Sequence, residues 1–187
     1  MWFRPLRRRT NPSGTCDLRA VNVNENVLSV ARKHKGRITG NVLEVGSFNV
    51  NGALRSVFAI TVGIDMRDGP GVDQVMSAYD LIEHFGPESF DCVCSADALE
   101  HIEDWHAAMV NMWGVLKPGG VLFLTMANLK KGRHAYPDDY WRWPLDDFKR
   151  LFGDNAIVDC FEGGPSLGCV VIKTTALNLT IQPRAVP

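Results

Sequence analysis

Glu44 and Asp65 each close a short apolar run, and 21 residues separate them. The first run sits in V-L-E-V-G-S-F-N-V-N-G over 42–52 and the second in V-G-I-D over 62–65. In a doubly wound sheet the carboxyl ends of the first two strands lie side by side. A carboxylate ending the second strand is then placed to accept both hydroxyls of a ribose. A glycine in the first turn lets backbone approach a ligand closely. These residues predict a site for an adenosine-containing small molecule; the lesser alternative for Asp65 is a cap on the turn that follows it.

Other residues offer chemistry further along. Cys92 and Cys94 alternate in an apolar run, face one side, and read as small core residues. His101 and His106 follow the fourth apolar run among acids. Five residues on a helix is about 140° of rotation, so the two do not converge on an ion as an i, i+4 pair would. No metal site is expected from that pair. The stretch over 127–143 is too long and too aromatic for a plain connection, and loops of this length are commonly functional. His134, Tyr136 and Asp139 are its candidate catalytic residues, with His134 or Asp139 as a base for a hydroxyl acceptor. Tyr140, Trp141 and Trp143 either stack on an acceptor or seal the loop onto the core.

These groups need a frame of alternating strands and helices. The patterning predicts helices over 24–35, 52–58, 79–85, 99–116 and 144–152. Strands are expected over 42–45, 60–65, 72–76, 90–95 and 121–126. Two further strand-like runs, 156–162 and 167–174, are joined by only four residues and must pair antiparallel. The expected architecture is a doubly wound, mostly parallel α/β sheet of the Rossmann-like kind with a C-terminal antiparallel hairpin. It divides into a basic arm over 1–23, one domain over 24–177, and a tail over 178–187 that is expected to fray.

Composition excludes several classes. Of 187 residues, 45% are hydrophobic and 22% charged, with a net charge of -1; these are ordinary globular values. Residues 1–40 hold nine Lys/Arg against Asp17 and Glu25, so the basic charge is concentrated at the start. No run approaches the ~20 apolar residues of a membrane span. The arginines at the start are followed by no apolar segment of the secretory kind. Five cysteines without framework spacing fit reduced thiols in a cytoplasmic protein.

With the elements placed, the sequence resembles the class I S-adenosylmethionine-dependent methyltransferases over roughly 41–174. The resemblance rests on V-L-E-V-G at the first strand, V-G-I-D at the second, and F-D-C-V-C-S-A-D-A-L-E-H-I at the fourth. It extends to V-L-K-P-G-G-V-L-F-L-T before and along the fifth. The segment Y-P-D-D-Y-W-R-W over 136–143 resembles a branch of small bacterial methyltransferases with a Tyr-Pro-x-Asp-Tyr-Trp-Arg element after that strand. The resemblance implies a seven-stranded sheet with one antiparallel strand and S-adenosyl-L-methionine as cofactor. It implies cofactor contacts from Glu44, Gly46, Ser47 and Asn49, from Asp65 with Met66 beside it, from Ser77 and Ala78, and from Ser95 and Ala96. Two features depart from the family pattern. Phe48 and Val50 stand where later glycines are usual, and Ser77 replaces an acidic residue.

The expected function is methyl transfer to a small-molecule acceptor, on oxygen or nitrogen. A nicotinamide oxidoreductase would need a G-x-G-x-x-G turn that is missing. A nucleic-acid methyltransferase would be expected to show an Asp/Asn-Pro-Pro-Tyr/Phe run and a broader basic surface. A nucleic-acid methyltransferase and a non-catalytic nucleotide-binding protein of the same fold are the two alternatives.

Overall fold

The computed structural model describes residues 25–49, 54–134, 138–153, 156–174 and 177–186. The basic arm, Val50 and Tyr136 lie outside the described residues.

Seven strands form the central sheet: β1 Val42–Val45, β2 Val62–Asp65, β3 Gln74–Val75, β4 Phe90–Ala96, β5 Leu116–Ala127, β7 Ile157–Gly163 and β8 Ser166–Ile172. Their order is β3-β2-β1-β4-β5-β8-β7. β1 to β5 run parallel, and β8 runs antiparallel to both β5 and β7. The doubly wound sheet with one reversed strand is therefore the fold that the sequence predicts.

The pleat divides the core. Leu43, Val45, Val93, Leu122, Leu124, Cys169 and Val171 face α3 Trp105–Val115 and α4 Leu145–Phe152, with α2 Leu81–Phe85 beside them. On the opposite face, Val42, Cys92, Cys94, Phe123 and Val170 meet Val27 and Ala31 of α1 Glu25–His34. Cys92 and Cys94 share that face, as their alternation predicts. Lys33 Nζ and His34 Nε2 each lie 2.7 Å from Asp159 Oδ2, which ties α1 to β7.

Four elements differ from expectation. The helix expected over 99–116 is split into a 3-10 turn at Leu99–His101 and α3. Asp104 Oδ1 accepts the Ala107 N–H at 3.0 Å and so starts a new helix. Trp141 Nε1 donates to the Ile102 and Glu103 carbonyls in the break, both at 3.0 Å. Over 52–58 only a 3-10 turn, Leu54–Ser56, is described. The Lys-Pro-Gly-Gly turn is absorbed into β5 as a bulge, since Phe90 pairs with Leu116 and Cys92 with Val121.

The fourth difference is the tail, which does not fray. β9 Arg184–Ala185 pairs antiparallel with β6 Trp141–Arg142, and Ile181 is buried. Its pairing partner lies in a segment that reads as irregular loop, so no pattern announces the contact.

Candidate active site

The strand order reverses between β1 and β4, and a crevice opens at the carboxyl ends of such strands. Glu44 and Gly46 leave β1 there. Gly46 has φ +81, and a Cβ on it would run into the Ala98 side chain, so only glycine fits. The Gly46 and Ser47 amides both donate to the Ile64 carbonyl at 2.9 Å, folding the turn over β2. The Asn49 amide donates to the Pro70 carbonyl at 2.8 Å. Phe48, which stands where a glycine is usual, lies against Gly69, with the Arg67 guanidinium 4.5 Å from its ring centre.

Asp65 ends β2 with its side chain 13% exposed. Oδ1 accepts the Arg67 N–H at 3.0 Å, and Oδ2 accepts a long bond from the Phe48 N–H at 3.4 Å. It caps its own turn, one of the two roles open from sequence. The long Oδ2 contact leaves that oxygen weakly engaged. Met66 beside it is exposed, and Ser77 Oγ accepts the Tyr79 N–H at 3.1 Å next to buried Ala78.

Glu44 lies on the α1 face and is buried. Burial pushes its carboxyl up to about 7, against the pull of Arg55, whose Nε is 4.0 Å away. Arg55 is shared with Asp73. Glu44 Oε2, Ser47 Oγ and Ser95 Oγ are buried and have no hydrogen-bond partner among the described residues. Unmet polar atoms at the carboxyl ends of neighbouring strands β1 and β4, with the close approach at Gly46, suit a polar cofactor. The residues present therefore fit S-adenosylmethionine. Ala96 ends β4 and leads to Asp97, which has φ +49 and is held by its N–H to the Thr125 carbonyl at 3.0 Å.

Beyond Asp97 the chain places a second polar group. Glu100 is wholly buried, and neither carboxylate oxygen has a hydrogen-bond partner among the described residues. Burial and then Asp97 push its carboxyl up to about 8. His101 Nδ1 meets the Asp138 carbonyl. The loop after β5 brings His134 to it, with ring centres 4.9 Å apart. His134 Nε2 is 4.0 Å from Glu100 Oε1. Burial holds the His134 imidazole below its ordinary value, and Lys131 adds to that.

The loop is fixed by Arg142. This buried guanidinium binds Asp139 through both arms, at 2.5 and 2.6 Å, and donates to the carbonyls of Lys131, Gly132 and Trp141. Asp139 also accepts the His134 amide at 2.7 Å. Burial alone would raise the Asp139 carboxyl, but these bonds outweigh it and hold it down to about 2. A carboxylate so low is a poor proton acceptor at neutral pH, and Asp139 is in place to orient His134. Trp143 is wholly buried, its ring centre 4.7 Å from that of Trp105, and so seals the loop.

Sequence reasoning weighed His101 against His106. His106 instead stacks on Trp105 and reaches the Leu179 carbonyl at 3.1 Å. The true neighbour, His134, is distant in sequence and no spacing rule links the two. Arg55 and Glu100 were likewise missed as site residues, although Glu100 lies within the fourth-strand motif.

Comparison with known proteins agrees with this geometry. The family described as Methyltransferase domain matches residues 4–124. No curated protein matches the chain by sequence. Among solved structures, the chain is similar to the Burkholderia thailandensis 1,6-didemethyltoxoflavin-N1-methyltransferase, solved with bound 1,6-didemethyltoxoflavin and S-adenosylhomocysteine. The TM-score is 0.62 at 15% identity, over 85% of this chain and 80% of that one. It is similar to the PH0226 protein of Pyrococcus horikoshii, with a TM-score of 0.59 at 18% identity over 80% and 89%. A methyltransferase of Aquifex aeolicus gives 0.56 at 17% over 83% and 92%. The matched domain, the sheet order and the crevice at Gly46 agree: the chain belongs to the class I S-adenosylmethionine-dependent methyltransferases.

Proposed function

We propose that this methyltransferase acts on a small-molecule acceptor seated against the loop over 127–143, with transfer to oxygen or nitrogen. The observation that carries the reading is the recessed cluster of Glu100, His101 and His134 beside the crevice. Half-buried imidazoles over a buried carboxylate can engage one polar group of a small ligand.

The cofactor supplies an electrophilic methyl on a sulfonium, so the protein's task is alignment and exclusion of water. Asp65 would accept the ribose hydroxyls through Oδ2. Gly46, Ser47, Asn49 and Glu44 would hold the methionine end; Met66, Ser77, Ala78, Ser95 and Ala96 would line the rest. His134, oriented by Asp139 and flanked in sequence by Tyr136, would meet the acceptor.

A methyl-donor screen over small-molecule classes, read by product mass, tests the reading, with cofactor titrations on variants. Asp65→Ala is expected to weaken S-adenosylhomocysteine by roughly ten- to hundredfold, the loss of about 1.5–3 kcal/mol from a charge-assisted contact. His134→Ala should lower turnover yet leave that affinity within about threefold, or ~0.7 kcal/mol. Equal affinity in Asp65→Ala and wild type removes Asp65 from the site. No methylated product from any class removes the small-molecule assignment.

Glu44 predicts a pH dependence. Its carboxyl is raised from 4.5 to about 7. The stability it lends the free protein is therefore complete below about pH 4.5 and lost as pH rises through about 7. A cationic ligand in the crevice offsets the ionised form. S-adenosylmethionine affinity should rise severalfold between pH 6 and 8, and Glu44→Gln should flatten the rise. S-adenosylhomocysteine, lacking the sulfonium charge, should show a shallower slope. An unchanged profile in Glu44→Gln places the titrating group elsewhere.

A further inference from the structure

We propose that Glu100, His101 and His134 bind a divalent transition-metal cation at the acceptor end of the crevice. The proposal rests on the reading of this cluster as the acceptor side and names what meets the acceptor there. One ligand atom from each residue lies within 4.8 Å of the other two.

Glu100 supplies an independent observation. It is 0% exposed, and both of its carboxylate oxygens lack a hydrogen-bond partner among the described residues. Two buried oxygens in that state call for a partner, and a cation can take the place of the carboxyl proton. Arg142 cannot serve it. Its five N–H groups are matched by Lys131 O, Trp141 O, Gly132 O and the two Asp139 oxygens. His134 Nε2, at 4.0 Å, is too far for a hydrogen bond.

Both imidazoles have an oxygen partner at Nδ1, as metal-bound histidines commonly do. His101 Nδ1 faces the Asp138 carbonyl, and His134 Nδ1 lies 3.1 Å from Asp139 Oδ2. A proton on each Nδ1 satisfies those oxygens and leaves each Nε2 lone pair free. Arg142 Nη2 also lies 3.3 Å from His134 Nδ1, but its two protons are already matched.

The donor set selects the ion. Two imidazoles and a carboxylate suit Zn²⁺, Co²⁺, Mn²⁺ or Fe²⁺, whereas Mg²⁺ and Ca²⁺ prefer oxygen throughout. Bonds of about 2.0–2.2 Å bring ligand atoms to about 3–3.5 Å from one another. The ligand atoms must therefore close up by as much as roughly 1.5–2 Å, and both imidazoles are only half buried. Three protein ligands leave a coordination position open for an acceptor hydroxyl. On the cation that hydroxyl loses its proton to solvent more readily. Its oxygen then forms a bond to the methyl carbon while the carbon–sulfur bond breaks and its electron pair stays on sulfur.

The test uses the full chain freed of metal with a chelator and titrated with Co²⁺, followed by visible absorption, and with Zn²⁺, followed by calorimetry. We expect one saturable site, weakened at least about tenfold in His101→Ala, in His134→Ala and in Glu100→Gln. The two histidines are half exposed, so their variants keep the fold if Glu100→Gln does not, and circular dichroism checks this. No saturable binding, or binding unchanged in both histidine variants, overturns the proposal. S-adenosylhomocysteine titrated into the metal-free chain reports separately on the methyltransferase reading. Cofactor binding without a metal site sinks the cation alone, and a metal site without cofactor binding sinks that reading instead.

Discussion

Arg142→Ala is expected to destabilise the protein by about 3–5 kcal/mol, the cost of breaking a buried ion pair from one side. For a chain of this size that lowers Tm by about 10 °C. The guanidinium is 5% exposed and the Asp139 side chain fully buried. Removing it strands that carboxylate together with the carbonyls of Lys131, Gly132 and Trp141. Arg142→Lys keeps the charge but loses the planar fork, so it should recover only part of the loss. Replacing Arg142 and Asp139 together by leucine should cost less stability than Arg142→Ala alone, yet leave His134 unoriented and turnover low. The acid limb carries the same signature. The Asp139 carboxyl is held down to about 2 from 3.8. Its contribution is complete above about pH 4 and is lost as pH falls toward 2. A Tm loss under about 2 °C in Arg142→Ala would mean that the loop is held by something other than this pair.

That pair marks the limit of what sequence patterning reveals. The parallel strands were legible because central strands are buried on both faces, as Val42–Val45 is, and read as short, mostly apolar runs closed by glycine or acid. The hairpin was legible from connection length alone. The crevice was legible too, since Glu44, Gly46 and Asp65 stand at strand ends. The loop over 127–143 was legible only as a loop. Its order comes from Arg142 reaching back to Lys131 and Gly132, and from β9 pairing with β6. Such contacts join segments with no periodicity of their own. The split of the long helix was hidden for a related reason. The apolar spacing runs on through 99–116, while the interruption is set by the Asp104 cap and by a distant indole, Trp141.

Gly46→Ala is expected to destabilise the chain by about 2–4 kcal/mol and to weaken cofactor binding at least tenfold, from two separable causes. The backbone at Gly46 has φ +81, where an L side chain is strained by roughly 1–3 kcal/mol. The added Cβ also meets the Ala98 Cβ, and both belong to turns pinned by backbone hydrogen bonds. Neither turn can yield alone. The Gly46 and Ser47 amides hold one to β2, and the His101 amide donates to the Ala98 carbonyl at 2.9 Å in the other. The second substitution Ala98→Gly opens the space without relieving φ. In the double variant the steric part should return, roughly half the loss, while the conformational part stays. Thermal melts report the stability arm and S-adenosylhomocysteine titration the binding arm. If stability recovers in the double variant and affinity does not, the backbone angle at Gly46 governs the cofactor. If Gly46→Ala binds as tightly as wild type, the crevice between β1 and β4 is not where the cofactor sits.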